Sequence, residues 1–146
     1  MSHIYTQNHY QICKNILWED IVSKIDNEFL SQSHRLMSSD YSGITIILHN
    51  GFYPKSIQES YDEVKKDKNI SVLHIYTSLT SSAPTFGRHC DDVDVLIVQS
   101  IGKVAYMFDD NSKVEMNPGD SLFIPKGVYH NPIVSEPRVT LSFSWE

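Results

Sequence analysis

Two segments of this 146-residue chain set metal-ligating side chains at spacings that carry chemistry. The first, Phe86-Gly87-Arg88-His89-Cys90-Asp91-Asp92-Val93-Asp94-Val95, puts an imidazole and a carboxylate two positions apart. At the edge of a strand, side chains two apart leave on the same face, so His89 and Asp91 point together while Cys90 points away. The second, Gly119-Asp120-Ser121-Leu122-Phe123-Ile124-Pro125-Lys126-Gly127-Val128-Tyr129-His130, ends on another imidazole. Two imidazoles and one carboxylate are the ligand set of a facial triad, which leaves positions open on Fe(II).

The two segments differ in information. Composition alone supplies about 0.5 His-x-Asp pairs in such a chain, so that pair taken singly reads equally well as a capped strand end. The order Gly119, Pro125, Gly127, His130 has a chance expectation of roughly five in ten thousand. It also has a mechanical reading. Gly119 permits the tight turn that Asn117-Pro118-Gly119-Asp120 signals, Leu122 to Ile124 is a buried strand, and Pro125-Lys126-Gly127 bends the chain to deliver His130 to a barrel mouth.

The elements that must hold these residues follow from periodicity. From Gln11 to Leu30 the residues Ile12, Ile16, Leu17, Ile21, Ile25 and Phe29 recur at helical spacing, predicting one amphipathic helix. Ser31 to Ser42 is rich in serine and reads as a loop. Ile44 to Leu48, bounded by Gly43 and Gly51, reads as a strand. Pro54 opens a second helix with Ile57, Tyr61 and Val64 on one face and Lys65, Lys66 and Lys68 at a solvated C-terminal end. From Ser71 to Trp145, short apolar segments near 71–78, 93–99, 103–108, 113–116, 121–124 and 138–145 are separated by turn residues with no helix between them. That texture indicates an antiparallel sandwich or barrel.

Size and charge bound the rest. At 16.7 kDa the chain makes a single domain, residues 1–146, with a helical part over 1–70 and a barrel core over 71–146. A net charge of -6 and a pI near 5.6 argue against nucleic acid as a partner. The longest uncharged apolar run is too short to span a bilayer. Met1 to Tyr10 lacks the basic and apolar regions of a secretory signal, so a cytoplasmic location is expected. Cys13 and Cys90 are expected as thiols.

The second segment resembles the second conserved motif of the cupin superfamily. The first resembles its JmjC-type branch, in which His-x-Asp is followed by a hydrophobic strand ending in Gln-x-x-Gly, here Gln99-Ser100-Ile101-Gly102. Together, over about residues 44 to 145, they are similar to ribosomal oxygenases and related asparaginyl hydroxylases, which depend on Fe(II) and 2-oxoglutarate. The resemblance implies a mostly β fold, a double-stranded β-helix (cupin or jelly-roll barrel) buttressed from outside by two N-terminal helices. It implies His89, Asp91 and His130 as the Fe(II) ligands and catalytic centre. It implies hydroxylation of a C–H bond in a small-molecule or peptide substrate, whose identity the sequence does not carry.

The resemblance also implies a Lys or Arg two residues after Gly102, pointing inward to the distal carboxylate of 2-oxoglutarate. That position is Val104, and the neighbouring Lys103 has the opposite strand parity. A buried dicarboxylate tail without a cation is costly to desolvate, so either another group replaces the lysine or the cosubstrate differs. Tyr106, of the same parity as Val104, Tyr76 and Ser142 are the candidate cosubstrate contacts, and Arg88, Lys126 or Arg138 would supply charge if folded inward. Among the other histidines, His3, His9, His34, His49 and His74, the alternation of His74 with Val72 and Tyr76 turns it toward the interior. Asp92 and Asp94 read as exposed or hydrogen-bonded neighbours of the motif. The rival function is a metal-binding cupin without 2-oxoglutarate chemistry, a small-molecule binder or non-redox metal protein. The length leaves no room for the dimerisation and winged-helix domains of protein-modifying relatives, and homodimer formation through the N-terminal helix or a sheet edge is an open expectation.

Overall fold

Alternation of apolar and polar residues along the last strand sets up both halves of the architecture. In Arg138–Trp145, Val139, Leu141 and Phe143 are buried in one core while Arg138, Thr140 and Ser142 turn to the opposite face, as the period of two requires. A computed structural model describes residues 2–31, 35–36, 44–49 and 51–145 of the chain. Within them lie the strands β1 (Ile4–Thr6), β2 (Arg35–Leu36), β3 (Thr45–Leu48), β4 (Val72–Ser78), β5 (Asp94–Ile101), β6 (Val104–Phe108), β7 (Lys113–Met116), β8 (Ser121–Ile124), β9 (His130–Val134) and β10 (Arg138–Trp145), and the helices α1 (Trp18–Ser31) and α2 (Lys55–Lys65).

The strands form a seven-stranded sheet in the order β1-β8-β5-β10-β4-β3-β2 and a three-stranded sheet in the order β7-β6-β9, and every pairing is antiparallel. This is the mostly β, jelly-roll arrangement expected. Between the sheets, Val95, Ile97, Leu122 and Ile124 of the large sheet pack on Val104, Tyr106, Phe108 and Met116 of the small one. The outer face of the large sheet carries Leu73, Ile75, Val98, Leu141 and Phe143 against Ile16, Ile21, Ile57 and Val64 from the helical part. The helices thus buttress the barrel from outside, leaving its interior to the pocket. Among the described residues no helix is long and apolar enough to cross a membrane.

Three expectations are corrected. The single helix over Gln11–Leu30 is two pieces, a 3-10 turn at Ile12–Asn15 and then α1, with Ile16 extended between them. The break is stabilised by Asp20, whose carboxylate accepts the Leu17 N–H at 2.8 Å, an N-terminal cap that starts the helix late. Both pieces still turn apolar residues inward, which is why the spacing ran across the break. β1 and β9 were not anticipated. β9 contains Pro132, and it escapes a sheet-breaking effect because it lies at the edge of the small sheet, where a missing N–H leaves no ladder bond unmade. Where the loop expected at 31–42 is described it is not a loop, since Ser31 ends α1 and Arg35–Leu36 is β2, paired with β3; the rest of that segment, His34 included, lies outside the described residues, as do Gly43 and the side chain of Phe29.

Candidate metal centre and its pocket

His89 and Asp91 sit in the irregular connection between β4 and β5 rather than on a strand edge, since β5 begins at Asp94. What orients them is an isolated antiparallel bridge between His89 and His130. His89 N–H donates to the His130 carbonyl at 2.9 Å and His130 N–H donates to the His89 carbonyl at 2.8 Å. Gly127 N–H donates to the Asp91 carbonyl at 2.9 Å, so the bend at Pro125-Lys126-Gly127 holds the third residue as well. Gly127 takes a φ of +80° there, a conformation open to glycine. Cys90 is exposed, pointing away as its position between the two requires.

The side chains converge. His89 Nε2 is 3.9 Å from Asp91 Oδ1 and His130 Nε2 is 3.5 Å from Asp91 Oδ2, and the three donor atoms lie within 4.8 Å of one another. His89 Nδ1 is 2.8 Å from the Gly87 carbonyl and His130 Nδ1 is 3.0 Å from the Val128 carbonyl. A carbonyl only accepts, so each Nδ1 donates to it, and each Nε2 is left facing Asp91 as the nitrogen that would ligate. Burial, with His89 beside it, pulls the His130 pKa below its ordinary value against the opposing Val128 carbonyl and Asp91. The neutral imidazole is the form that binds a metal. Two Nε2 lone pairs and one carboxylate suit a divalent first-row transition metal.

This trio opens on a pocket of about 480 Å³, its mouth included, between the two sheets. Tyr76, Tyr106 and Ser142, named from sequence, all line it. Tyr106 is 3% exposed, and its phenol is pushed up to about 12 by burial, with Arg138 opposing and Tyr76 and Asp91 adding to the rise. The phenol is therefore neutral and able to donate.

Of the three cations considered for the pocket, only Arg138 is there. Arg88 is exposed and paired with Asp109, Lys126 is exposed, and Val104 is packed in the core between the sheets. Arg138 is 3% exposed and lines the pocket. Its Nε donates to Ser78 Oγ at 2.8 Å and its Nη1 to Thr140 Oγ1 at 2.9 Å, and its guanidinium lies 5.7 Å from the Tyr76 ring centre. Thr140 in turn donates to Gln99 Oε1 at 2.7 Å. Among the described residues no carboxylate pairs with Arg138. Burial lowers its pKa, with Tyr106 and Tyr76 opposing, yet a guanidinium keeps its charge in a protein.

The pocket also recruits residues that sequence reasoning passed over: Thr45, Thr85, Phe86, Ile97 and Pro132. Parity could have found two of them, since Pro132 is two places from His130 and Ile97 two from Gln99. Thr45 carries no such signal. His74 lies opposite Ser142 in the β4–β10 register, on the interior side as expected, but edge-on to His49 and outside the pocket lining.

No protein-family model matches the sequence, and no curated protein matches it. Solved structures do. A ribosomal oxygenase, YcfD from Escherichia coli, superposes with a TM-score of 0.70 at 20% identity over 99% of this chain and 47% of that one. The same enzyme in complex with cobalt and 2-oxoglutarate gives 0.70 at 18% identity over 99% and 48%. A prolyl-4-hydroxylase from Pseudomonas putida gives 0.58 at 7% identity over 99% and 92%. The chain spans about half the length of the ribosomal oxygenase it matches. These likenesses show the fold, the cupin-like double-stranded β-helix of the Fe/2-oxoglutarate oxygenases.

Proposed function

We propose that this chain is an Fe(II)- and 2-oxoglutarate-dependent oxygenase that hydroxylates a C–H bond of a small-molecule or peptide substrate. The observation that carries the reading is a buried guanidinium, Arg138, that no carboxylate among the described residues pairs, in the same pocket as the His89, Asp91 and His130 donors. A buried charge left unpaired is expensive, and a ligand with its own carboxylate relieves it. Cobalt and 2-oxoglutarate bound to the superposable ribosomal oxygenase support the same assignment.

His89, Asp91 and His130 would hold the metal, which supplies the oxidative chemistry when bound. Arg138 would take the distal carboxylate of 2-oxoglutarate in place of the basic residue that Val104 lacks, with Ser78 and Thr140 fixing the fork. Tyr106, Tyr76 and Ser142 would contact the cosubstrate, Tyr106 as a neutral hydrogen-bond donor. Val104, Met116 and Leu122 are buried in one cluster with Ile97 and Tyr106 of the pocket lining, an apolar backing for the site. We place the protein in the cytoplasm, with no nucleic-acid or membrane partner and with homodimer formation as an open property.

The test is anaerobic addition of Fe(II) and then 2-oxoglutarate, which is expected to give the visible charge-transfer band of a chelated 2-oxo acid. A protein that binds the metal but gives no band would be a metal-binding cupin without 2-oxoglutarate chemistry, and the oxygenase reading would fall.

A further inference from the structure

Residues 79–93, which carry His89 and Asp91, contain no helix and no strand. Ordering such a connection is entropically unfavourable, and the His89–His130 bridge contributes only two backbone hydrogen bonds toward it. The register of that bridge puts Arg88 and Tyr129, each the residue before a histidine, on the face opposite the imidazoles. There they meet. The Arg88 guanidinium lies 4.1 Å from the Tyr129 ring centre, while its Nε and Nη2 donate to Asp109 Oδ1 and Oδ2 at 2.9 and 2.7 Å. Asp109 follows Phe108, whose register partner across the small sheet is His130. One side chain therefore ties together the neighbour of His89, the neighbour of His130 and the end of the strand that His130 pairs with.

We propose that Arg88 is a positioning residue for the metal centre, a clamp on the outer face of the His89–His130 bridge that holds the two imidazoles at ligating separation. The proposal rests on the reading of His89, Asp91 and His130 as metal ligands. An exposed ion pair is ordinarily worth little, but a two-pronged fork adds fixed geometry and the ring adds a cation–π contact. Lysine reproduces neither the fork nor the flat stacking surface. The clamp therefore acts on the local opening of one connection more than on the stability of the whole fold.

The experiment measures Co(II) affinity by titration and, on metal-free protein, hydrogen exchange at the His89 and His130 amides, in Arg88→Ala, Arg88→Lys and the swap Arg88→Asp/Asp109→Arg. Both single variants are expected to weaken Co(II) by about tenfold, the low end of the range for partners outside the ligand set. Both amides should exchange faster, and the thermal midpoint should stay within a few degrees of wild type. The swap should recover part of the loss by restoring the ion pair. Wild-type Co(II) affinity and unchanged exchange in the single variants overturn the clamp and leave the metal reading standing. A wild-type chain that binds no Co(II) overturns the metal reading and the proposal with it.

Discussion

Arg138 and Ser78 face each other across β10 and β4, with Arg138 Nε donating to Ser78 Oγ at 2.8 Å. Thr140 braces the other side of the guanidinium and is itself fixed by Gln99, so the polar residue of the Gln-x-x-Gly motif reaches Arg138 through one hydroxyl. Removing the charge while keeping the volume, Arg138→Met, should weaken 2-oxoglutarate by roughly 100-fold or more, the scale for a buried charge pair. Thr140→Val should weaken it by about fivefold, one hydrogen bond's worth. Calorimetric titration of 2-oxoglutarate into the Co(II)-loaded protein checks both, and Co(II) affinity itself should not move.

β4, β5, β6, β7, β8 and β10 were legible because each is a run of four to eight residues with its own turn signals. The trio His89, Asp91 and His130 was legible because ligand chemistry restricts residue types. The anchor was not. Arg138 only opens the segment read as 138–145, and choosing it over Arg88 and Lys126 required burial, which depends on contacts between residues far apart in the chain. One local signal existed: Arg138, Thr140 and Ser142 alternate with Val139, Leu141 and Phe143 along the segment read as 138–145, which puts the arginine on the same face as Ser142. β1 was invisible for a related reason. Three residues carry too little periodicity, and what holds them is remote, the ladder to β8 and the Tyr5 hydroxyl on Asp120.

Gly102 turns the chain from β5 to β6 at a φ of +70°, and a Cβ there would collide with the Pro137 carbonyl. Gly102→Ala combines a left-handed backbone with overpacking, about 3 kcal/mol in all, or a fall of about 10 °C in the thermal midpoint. Because Pro137 precedes Arg138, the same clash should reach the pocket. Cosubstrate affinity is expected to fall further than Co(II) affinity, which parallel titrations would show.

Asp120 is 1% exposed. It accepts from the Tyr5 hydroxyl at 2.6 Å, from Asn8 N–H at 3.0 Å and from Asn117 N–H at 2.9 Å. Burial alone would raise its pKa, but these donors and Lys14 outweigh it and hold the carboxyl below its ordinary value. A depressed carboxyl contributes stability that is complete above the unfolded pKa, about 3.9, and is lost as pH falls through the folded value. The unfolding free energy should therefore drop below about pH 4 in the wild type, with a shallower acid slope in Asp120→Asn. At neutral pH that variant should be about 2 kcal/mol less stable from three weakened charge-assisted bonds. Tyr5→Phe should lose about 1 kcal/mol. Denaturant titrations at pH 3 and pH 7 separate the two contributions, and an equal acid slope in Asp120→Asn would assign it to other carboxyls.

Lys24 and Glu28 form an ion pair at 2.8 Å, one turn apart on the inner side of α1, with side chains 0% and 2% exposed. Glu28 Oε1 also accepts the His49 N–H at 3.0 Å, and Lys24 Nζ stands 4.6 Å from the Tyr53 ring centre. Two desolvated charges gain little net stability from each other, but removing one exposes the full desolvation penalty of the other. Lys24→Met should cost about 3–5 kcal/mol. In Lys24→Met/Glu28→Gln the amide oxygen still receives the His49 N–H while both charges of this pair are gone, so most of that loss should return. A double-mutant cycle by urea unfolding should give a coupling above about 1 kcal/mol. The pair lies on the helix side of the large sheet, away from His89, Asp91 and His130, so Co(II) affinity should be the same in all four proteins. A change in affinity that tracked stability would mean that the helical layer does more than buttress the barrel.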